Sequence, residues 1–331
     1  MKYFLLLLFS IHLYAIESDF DCVVVGSSPC CLIEALYQKS LGHRVIVVEQ
    51  TPDIGGAWKS IDICGISHVD VGCHELGKDP AIYDFLQDYI GCKMVPSGSE
   101  LYFSKGCLEF IGNLQLLLQK LEIPLLLKTK VDSLYLDFDR QIVEAKFQEK
   151  RWTTKKIILS QNSDIKIENL NTPSITPRVA AFPHVYLLIE DPTPPRFTFL
   201  EFKAIGATRA MNNTSFVGLE GSGKQLISIQ VRREQFLHPG EKFLAELKKQ
   251  KLVDENAKLL TAENYTYSQL IFPADVIKHF GPKTSPLVEI LDTAHLKHMS
   301  PYIPRWKNGL KPWIELMTPL QNKPSPSIAQ K

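Results

Sequence analysis

Apolar and polar positions along this chain follow two periods, one of strands and one of helices. From Asp19 to Gly26, "DFDCVVVG" is nearly continuously apolar, as expected of a parallel strand covered on both faces. Pro29 to Leu41 reads as a helix, with proline in its first turn and Gly42 just past its end. Arg44 to Glu49, "RVIVVE", is a second strand, and the three segments make one βαβ unit. Ile61 to Val71 alternates loosely and predicts a short hairpin. In Asp79 to Gly91, Ile82, Phe85, Leu86 and Tyr89 share one helical face; Asp79 is placed to cap it and Pro80 to start it. A further helix is expected over Gly112 to Leu121, then strands around Pro124–Leu136, Gln141–Phe147 and Trp152–Leu159.

Asn171 to Pro183 is rich in proline and reads as a crossover between subdomains. Strand-like runs follow at "HVYLLIE", "RFTFLEF" and "QLISIQV", with a charged helix over Glu241 to Lys251. The pattern predicts an α/β chain: a βαβ and double-glycine segment over 16–75, its completion over 76–170, and a mixed β-sheet substrate-like region over 171–317. The proline-rich tail, 318–331, is expected to fray.

Composition narrows the partners. A net charge of +1, with acids and bases well mixed, argues against a nucleic-acid or acidic-membrane partner. All seven cysteines fall between Cys22 and Cys107 without zinc-ligand spacing, which points to buried free thiols. The first residues, "MKYFLLLLFSIHLYAIES", have the layout of a signal peptide over 1–15: basic Lys2, a short apolar core and small Ala15. That stretch is too short to span a bilayer comfortably, and no later stretch is long and apolar enough to do so. An exported chain beginning near Ile16, with no integral membrane segment, is expected.

Candidate chemistry sits at the first turn. A dinucleotide fingerprint reads G-x-G-x-x-G, but here the three places are Gly26, Ser28 and Cys31. Gly26 keeps the tight turn from strand to helix, Ser28 can donate to a phosphate, and Cys31 is compact enough for close packing. Glu49 ends the second strand, 23 residues after Gly26, where a carboxylate accepts from ribose hydroxyls and disfavours a 2′-phosphate. A dinucleotide without that phosphate is therefore expected, and NADP is not. Gly55 and Gly56 then offer bare backbone beside the dinucleotide.

The residues "VVVGSSPCC…VIVVEQTPDIGGAW" and "HVDVGCHEL" resemble the FAD-binding Rossmann region of the flavin amine oxidase, protoporphyrinogen oxidase and UDP-galactopyranose mutase superfamily. The resemblance is specific over about Asp21–Glu75 and looser to Ser160. It implies an FAD/NAD(P)-binding Rossmann-like domain with an inserted substrate domain, and oxidation of a small molecule. By position it implies FAD contacts at Gly26, Ser28, Glu49, Gly55 and Gly56, with Gly72 and His74 near the ring. It also implies an adenine contact from the backbone of Val131, in "LLLKTKVDSLYLD". Lys59, His68 and His74 are the polar residues expected nearest such a ring, and no general base is assigned. Two departures stand out. Ala57 occupies the place of an arginine, and no C-terminal "G-D" segment follows "HMSPYIPRWKNGL". Rab escort and GDP-dissociation-inhibitor proteins resemble the same frame without flavin, so a non-catalytic, flavin-free binding protein is the rival expectation.

Other motifs are set aside. "GLEGSGK", Gly218 to Lys224, lacks the serine or threonine of a P-loop and is expected to be a hairpin turn. "HLKH", His295 to His298, has no third ligand partner in view, so no metal site is expected. "NNTS" and "NYT" have the spacing of glycosylation sequons.

Overall fold

The structure is a computed structural model. It describes residues 18–72, 74, 76–77, 79–97, 100–148, 150–160, 165–168, 178–271, 286–291 and 299–313. The expected signal peptide, the His295–His298 pair and the C-terminal tail lie outside the described residues.

The chain opens as its pattern predicts. β1 (Phe20–Val25), α1 (Pro29–Ser40) and β2 (Val45–Val48) form the βαβ unit, with β1 and β2 parallel. The hairpin β3 (Ser60–Ile63) and β4 (Ile66–Asp70) follows. Next comes α2 (Pro80–Ile90), capped by the Asp79 carboxylate, which accepts from the Ala81 amide at 2.9 Å. A second hairpin, β5 (Met94–Ser97) and β6 (Glu100–Phe103), leads into α3 (Gly106–Lys120).

The apolar run expected over Pro124–Leu136 divides in two. β7 (Leu125–Leu126) lies beside β2, whereas β8 (Ser133–Asp137) joins an antiparallel meander with β9 (Ile142–Phe147) and β10 (Lys150–Ser160). A short β11 (Lys166–Ile167) edges β8. β10 serves both parts of the sheet: its first residues pair with β9, and the rest lies parallel to β1.

A second, five-stranded sheet then forms from β12 (Arg178–Glu190), β13 (Phe199–Glu201), β14 (Ala207–Asn212), β15 (Lys224–Val231) and β16 (Lys258–Ile271), in the order β13-β14-β15-β12-β16. Every pairing within it is antiparallel. Its helix, α4 (Gly240–Lys249), buries Phe243, Leu244 and Leu247 against the strands. Arg178–Pro183, read from sequence as part of a crossover, is the first half of β12. The chain then returns to the first sheet: β17 (Val288–Leu291) lies parallel to β10, and α5 (Ile303–Leu310) packs on α1 and α2. The second sheet is thus an insertion within an α/β Rossmann-like frame.

The parallel strands are buried on both faces, as their unbroken apolar sequence requires. α1, α2, α3 and α5 cover one face around Leu32, Phe85, Phe110 and Trp306; the meander covers the other around Val131, Leu134 and Val143. Cys22, Cys30, Cys31, Cys64, Cys92 and Cys107 are buried, as expected for six of the seven. Burial pushes the Cys31 thiol up to about 12, so it stays protonated. Among the described residues, no helix is long and apolar enough to cross a membrane.

Candidate functional site

A cavity of about 350 Å³ opens at the carboxyl ends of β1 and β2, where open α/β sheets bind ligands. It is lined by Gly26, Ser28, Glu49, Gly56 and Val131, which the sequence singled out, and by Lys59. The volume lies toward the lower end of the range of small-molecule sites.

Gly26 makes the turn. Its φ is +97°, and a side-chain carbon there would sit 2.6 Å from Ser160 Cβ on β10. The next residue, Ser27, was not foreseen as a site residue, yet it organises the turn. Its amide and hydroxyl donate to Glu49 Oε2 at 2.9 and 2.7 Å, and its carbonyl and hydroxyl both accept from the Gly55 amide, at 3.0 and 3.2 Å. The first turn, the end of β2 and the double-glycine segment are therefore one hydrogen-bonded unit.

The binding of Glu49 differs from the sequence expectation. The residue is only 7% exposed. Oε2 takes both donors of Ser27, while Oε1 accepts from the Thr51 amide at 2.8 Å and lies 2.9 Å from the Thr51 hydroxyl. A carboxylate has about four acceptor positions. The single Thr51 hydroxyl proton also faces the Asp53 carbonyl at 2.7 Å. When it points there, one position on Oε1 is left for a ribose hydroxyl. Glu49 is first a clamp on the turn and only then a possible ligand contact.

Two features fit a dinucleotide. Ser28 precedes the first turn of α1, and among the described residues its buried Oγ has no hydrogen-bond partner; a phosphate oxygen would supply one. Val131 lies at the meander side of the cavity, and among the described residues its backbone makes no backbone hydrogen bond. An adenine edge can pair with such groups. At Gly55, which does not line the cavity, a side-chain carbon would lie 3.0 Å from Ile111, whereas at Gly56, which does, it would meet only Ser28, at 3.9 Å.

Gly72 and His74 lie beyond these lining residues, at the junction with the second sheet. Tyr186 Oη on β12 accepts from the Gly72 amide at 2.9 Å and donates to the Asp70 carbonyl at 3.0 Å. His74 stacks on Trp58 at 4.2 Å, with Nε2 2.8 Å from the Ala57 carbonyl. His68 is exposed on the β3–β4 hairpin and lies outside the cavity. Tyr265, Thr266, Tyr267 and Ser268 on β16 close the cavity from the inserted sheet. Nothing local in "NYTYSQL" marked them, because only the tertiary fold carries β16 to the first turn.

The glycine-rich segment and the Asn212–Asn213 sequons can be placed in the structure. The "GLEGSGK" segment contributes the turn before β15. Asn212 and Asn213 are buried and bonded to Gln225 and Ser228, which closes those sequons to modification. Among the described residues no cluster of metal ligands occurs.

No protein-family model matches the sequence, and no curated protein matches it. The fold, however, is similar to solved oxidoreductases. Cyclohexylamine oxidase from Brevibacterium oxydans IH-35A superposes with a TM-score of 0.62 at 10% identity, covering 91% of this chain and 100% of that one. An oxidoreductase from Methanosarcina mazei gives 0.55 at 11% identity, covering 83% and 94%. A protein from Exiguobacterium sp. 255-15 assigned as protoporphyrinogen oxidase gives 0.55 at 10% identity, covering 91% and 99%. At these identities the likeness establishes the fold.

Proposed function

We propose that this chain is an FAD-dependent oxidoreductase of the amine-oxidase type, acting on a small molecule. The observation that carries the reading is the cavity at the β1 and β2 ends, which gathers Gly26, Ser28, Glu49, Gly56 and Val131 in the order a dinucleotide needs. The likeness to cyclohexylamine oxidase supports the reaction class. FAD, when bound, supplies the two-electron redox chemistry. The chain's own residues bind and orient it. Gly26 and the start of α1 receive the pyrophosphate, with Ser28 Oγ donating. Oε1 of Glu49 accepts from the ribose, and the Val131 backbone meets the adenine. Gly55 and Gly56 keep the backbone close to the dinucleotide, and Gly72 and His74 flank the ring. The inserted sheet, through β16, forms the substrate side.

The rival reading is a flavin-free binding protein on the same frame, favoured by the internal engagement of Glu49. Purified protein separates the two. Flavin absorbance, or a rise in melting temperature with excess FAD, is the expected result. Colourless protein whose melting temperature is unmoved by FAD rejects the cofactor and supports the rival. We further propose export, with the mature chain starting near Ile16; mass spectrometry of native protein that finds an intact Met1 terminus overturns it.

A further inference from the structure

His184 is buried at the same junction. It lies on β12 two residues before Tyr186, so both side chains project from one face of the strand toward the segment Asp70–Gly72. The imidazole is 0% exposed. Nδ1 lies 2.9 Å from the Phe182 carbonyl. A carbonyl can only accept, so Nδ1 carries the proton and a neutral ring leaves Nε2 as a bare acceptor. Burial holds the ring neutral, bringing its pKa down to about 3, with His74 and Arg209 adding repulsion of the charged form.

Among the described residues Nε2 has no hydrogen-bond partner. A buried acceptor in that state is costly. The fold does not satisfy it, although an amide is close by: the Gly72 N–H is already committed to Tyr186 Oη. What faces Nε2 is the bare methylene of Gly72, where a side-chain carbon would sit 3.1 Å from Nε2 and 3.3 Å from the Tyr267 ring. Tyr267 lines the cavity and stacks between Phe182 and His184, at 5.0 and 5.7 Å. The acceptor therefore lies beside the cavity wall, packed against a residue that carries no side chain.

We propose that His184 Nε2 is a ligand-binding acceptor, which takes a hydrogen bond from a neutral N–H brought into the cavity between Gly72 and Tyr267. The inference rests on the oxidoreductase reading for its two sources of such a group. One is the ring of FAD, whose oxidised form has a single ring N–H, the imide at N3. The other is the nitrogen of a substrate amine. His184 thereby ties the inserted sheet to the ligand and reads its donor.

The test uses the full chain with histidine nitrogens labelled for NMR, and three probes: FAD, its N3-methyl analogue, and cyclohexylamine. Before any ligand, Nε2 of His184 should resonate as an unprotonated nitrogen. FAD should shift that resonance and bind roughly three- to tenfold tighter than the N3-methyl analogue. His184→Phe, which keeps a ring against Tyr267, should erase the preference while its melting curve stays cooperative. That pattern supports the inference with flavin as the source. Equal binding of the two flavins, with a shift of Nε2 only when cyclohexylamine is added, supports it with the substrate as the source. An Nε2 resonance unmoved by all three probes overturns it and leaves His184 a packing residue, whether or not His184→Phe folds. Failure of the cofactor reading is distinct: wild type then binds neither flavin, and the inference survives only if cyclohexylamine alone moves Nε2.

Discussion

Glu49 shows how a residue can be well located from sequence and still have its energetics misjudged. An acid at a strand end suggests partial solvation, so Glu49→Ala would be expected to cost little in stability. The structure reverses that expectation, because truncation leaves the buried Ser27 amide without its acceptor and unties the turn from β2. Hydrogen bonds to a charged group are each worth about 1.5–3 kcal/mol. Glu49→Ala should therefore lower unfolding stability by about 2–4 kcal/mol in urea titrations, in addition to weakening FAD. An unchanged midpoint would mean that the clamp does not hold the turn. Asp70 supplies a second test. It is buried at the start of α3, and desolvation raises its carboxyl to about 6, despite the donors Cys107, Tyr102 and Ser60 around it. The folded state then binds this proton more tightly than the unfolded chain does. Asp70's contribution to stability is therefore present below pH about 4 and is lost as pH rises to about 6. Asp70→Asn should remove that slope from a pH series of denaturation midpoints. A slope identical to wild type would refute the raised value.

Among the helices, α3 starts six residues before the expected Gly112, and the cause is again Asp70. The residue before Gly106 is Lys105, whose side chain makes no cap bond. The cap comes from 37 residues upstream: both carboxylate oxygens of Asp70 accept from the Cys107 amide, at 2.9 and 3.0 Å. α2, by contrast, carries its own Asp79 cap and Gly91 stop and was read correctly to within a residue. The two glycines of α3 should respond oppositely to alanine. At Gly106, with φ +61°, a side-chain carbon would lie 2.5 Å from Asp70 Oδ2; Gly106→Ala should cost roughly 2 kcal/mol or more. At Gly112 nothing lies within 4 Å, and Gly112→Ala should stabilise by about 0.5–1 kcal/mol. Thermal melts of the pair check both signs, and two destabilised proteins would contradict the assigned start of α3.

For the whole molecule, the inserted sheet raises the question of what holds the returning chain in place. Arg305 on α5 contacts Glu34 of α1 and, at 2.9 Å, Glu289 of β17. Lys156 of β10 adds a bond to Glu289 at 2.7 Å, and the Trp306 indole donates to Glu34 at 2.6 Å. Glu34 and Glu289 are almost fully buried. Removing the cation leaves Glu34 without a counter-charge, a change that typically costs about 3–5 kcal/mol. Arg305→Met should thus destabilise by about 3 kcal/mol, since Lys156 still serves Glu289 and the methionine stem keeps some packing. Chemical denaturation measures it; a loss below about 1 kcal/mol would show that α5 is held by its apolar face alone.

The sequence by itself determined the βαβ unit, the position of its turn and the glycine pair after it. Those features are local: an unbroken apolar run, a proline at a helix start and glycines at positive φ act through neighbouring residues. It also pointed to buried thiols at the six described cysteines, because no zinc-ligand spacing joins them. Only the tertiary structure decided what the acids do. Glu49 looks like a ligand-facing carboxylate in the linear pattern, and nothing local singles out Asp70 or Glu34. Each instead satisfies backbone or side-chain donors from a distant segment. Likewise His184 and Tyr267 reach the site from strands more than 150 residues after Gly26. Their placement depends on strand pairing between β12 and β16, and long-range pairing leaves no periodic trace near either residue.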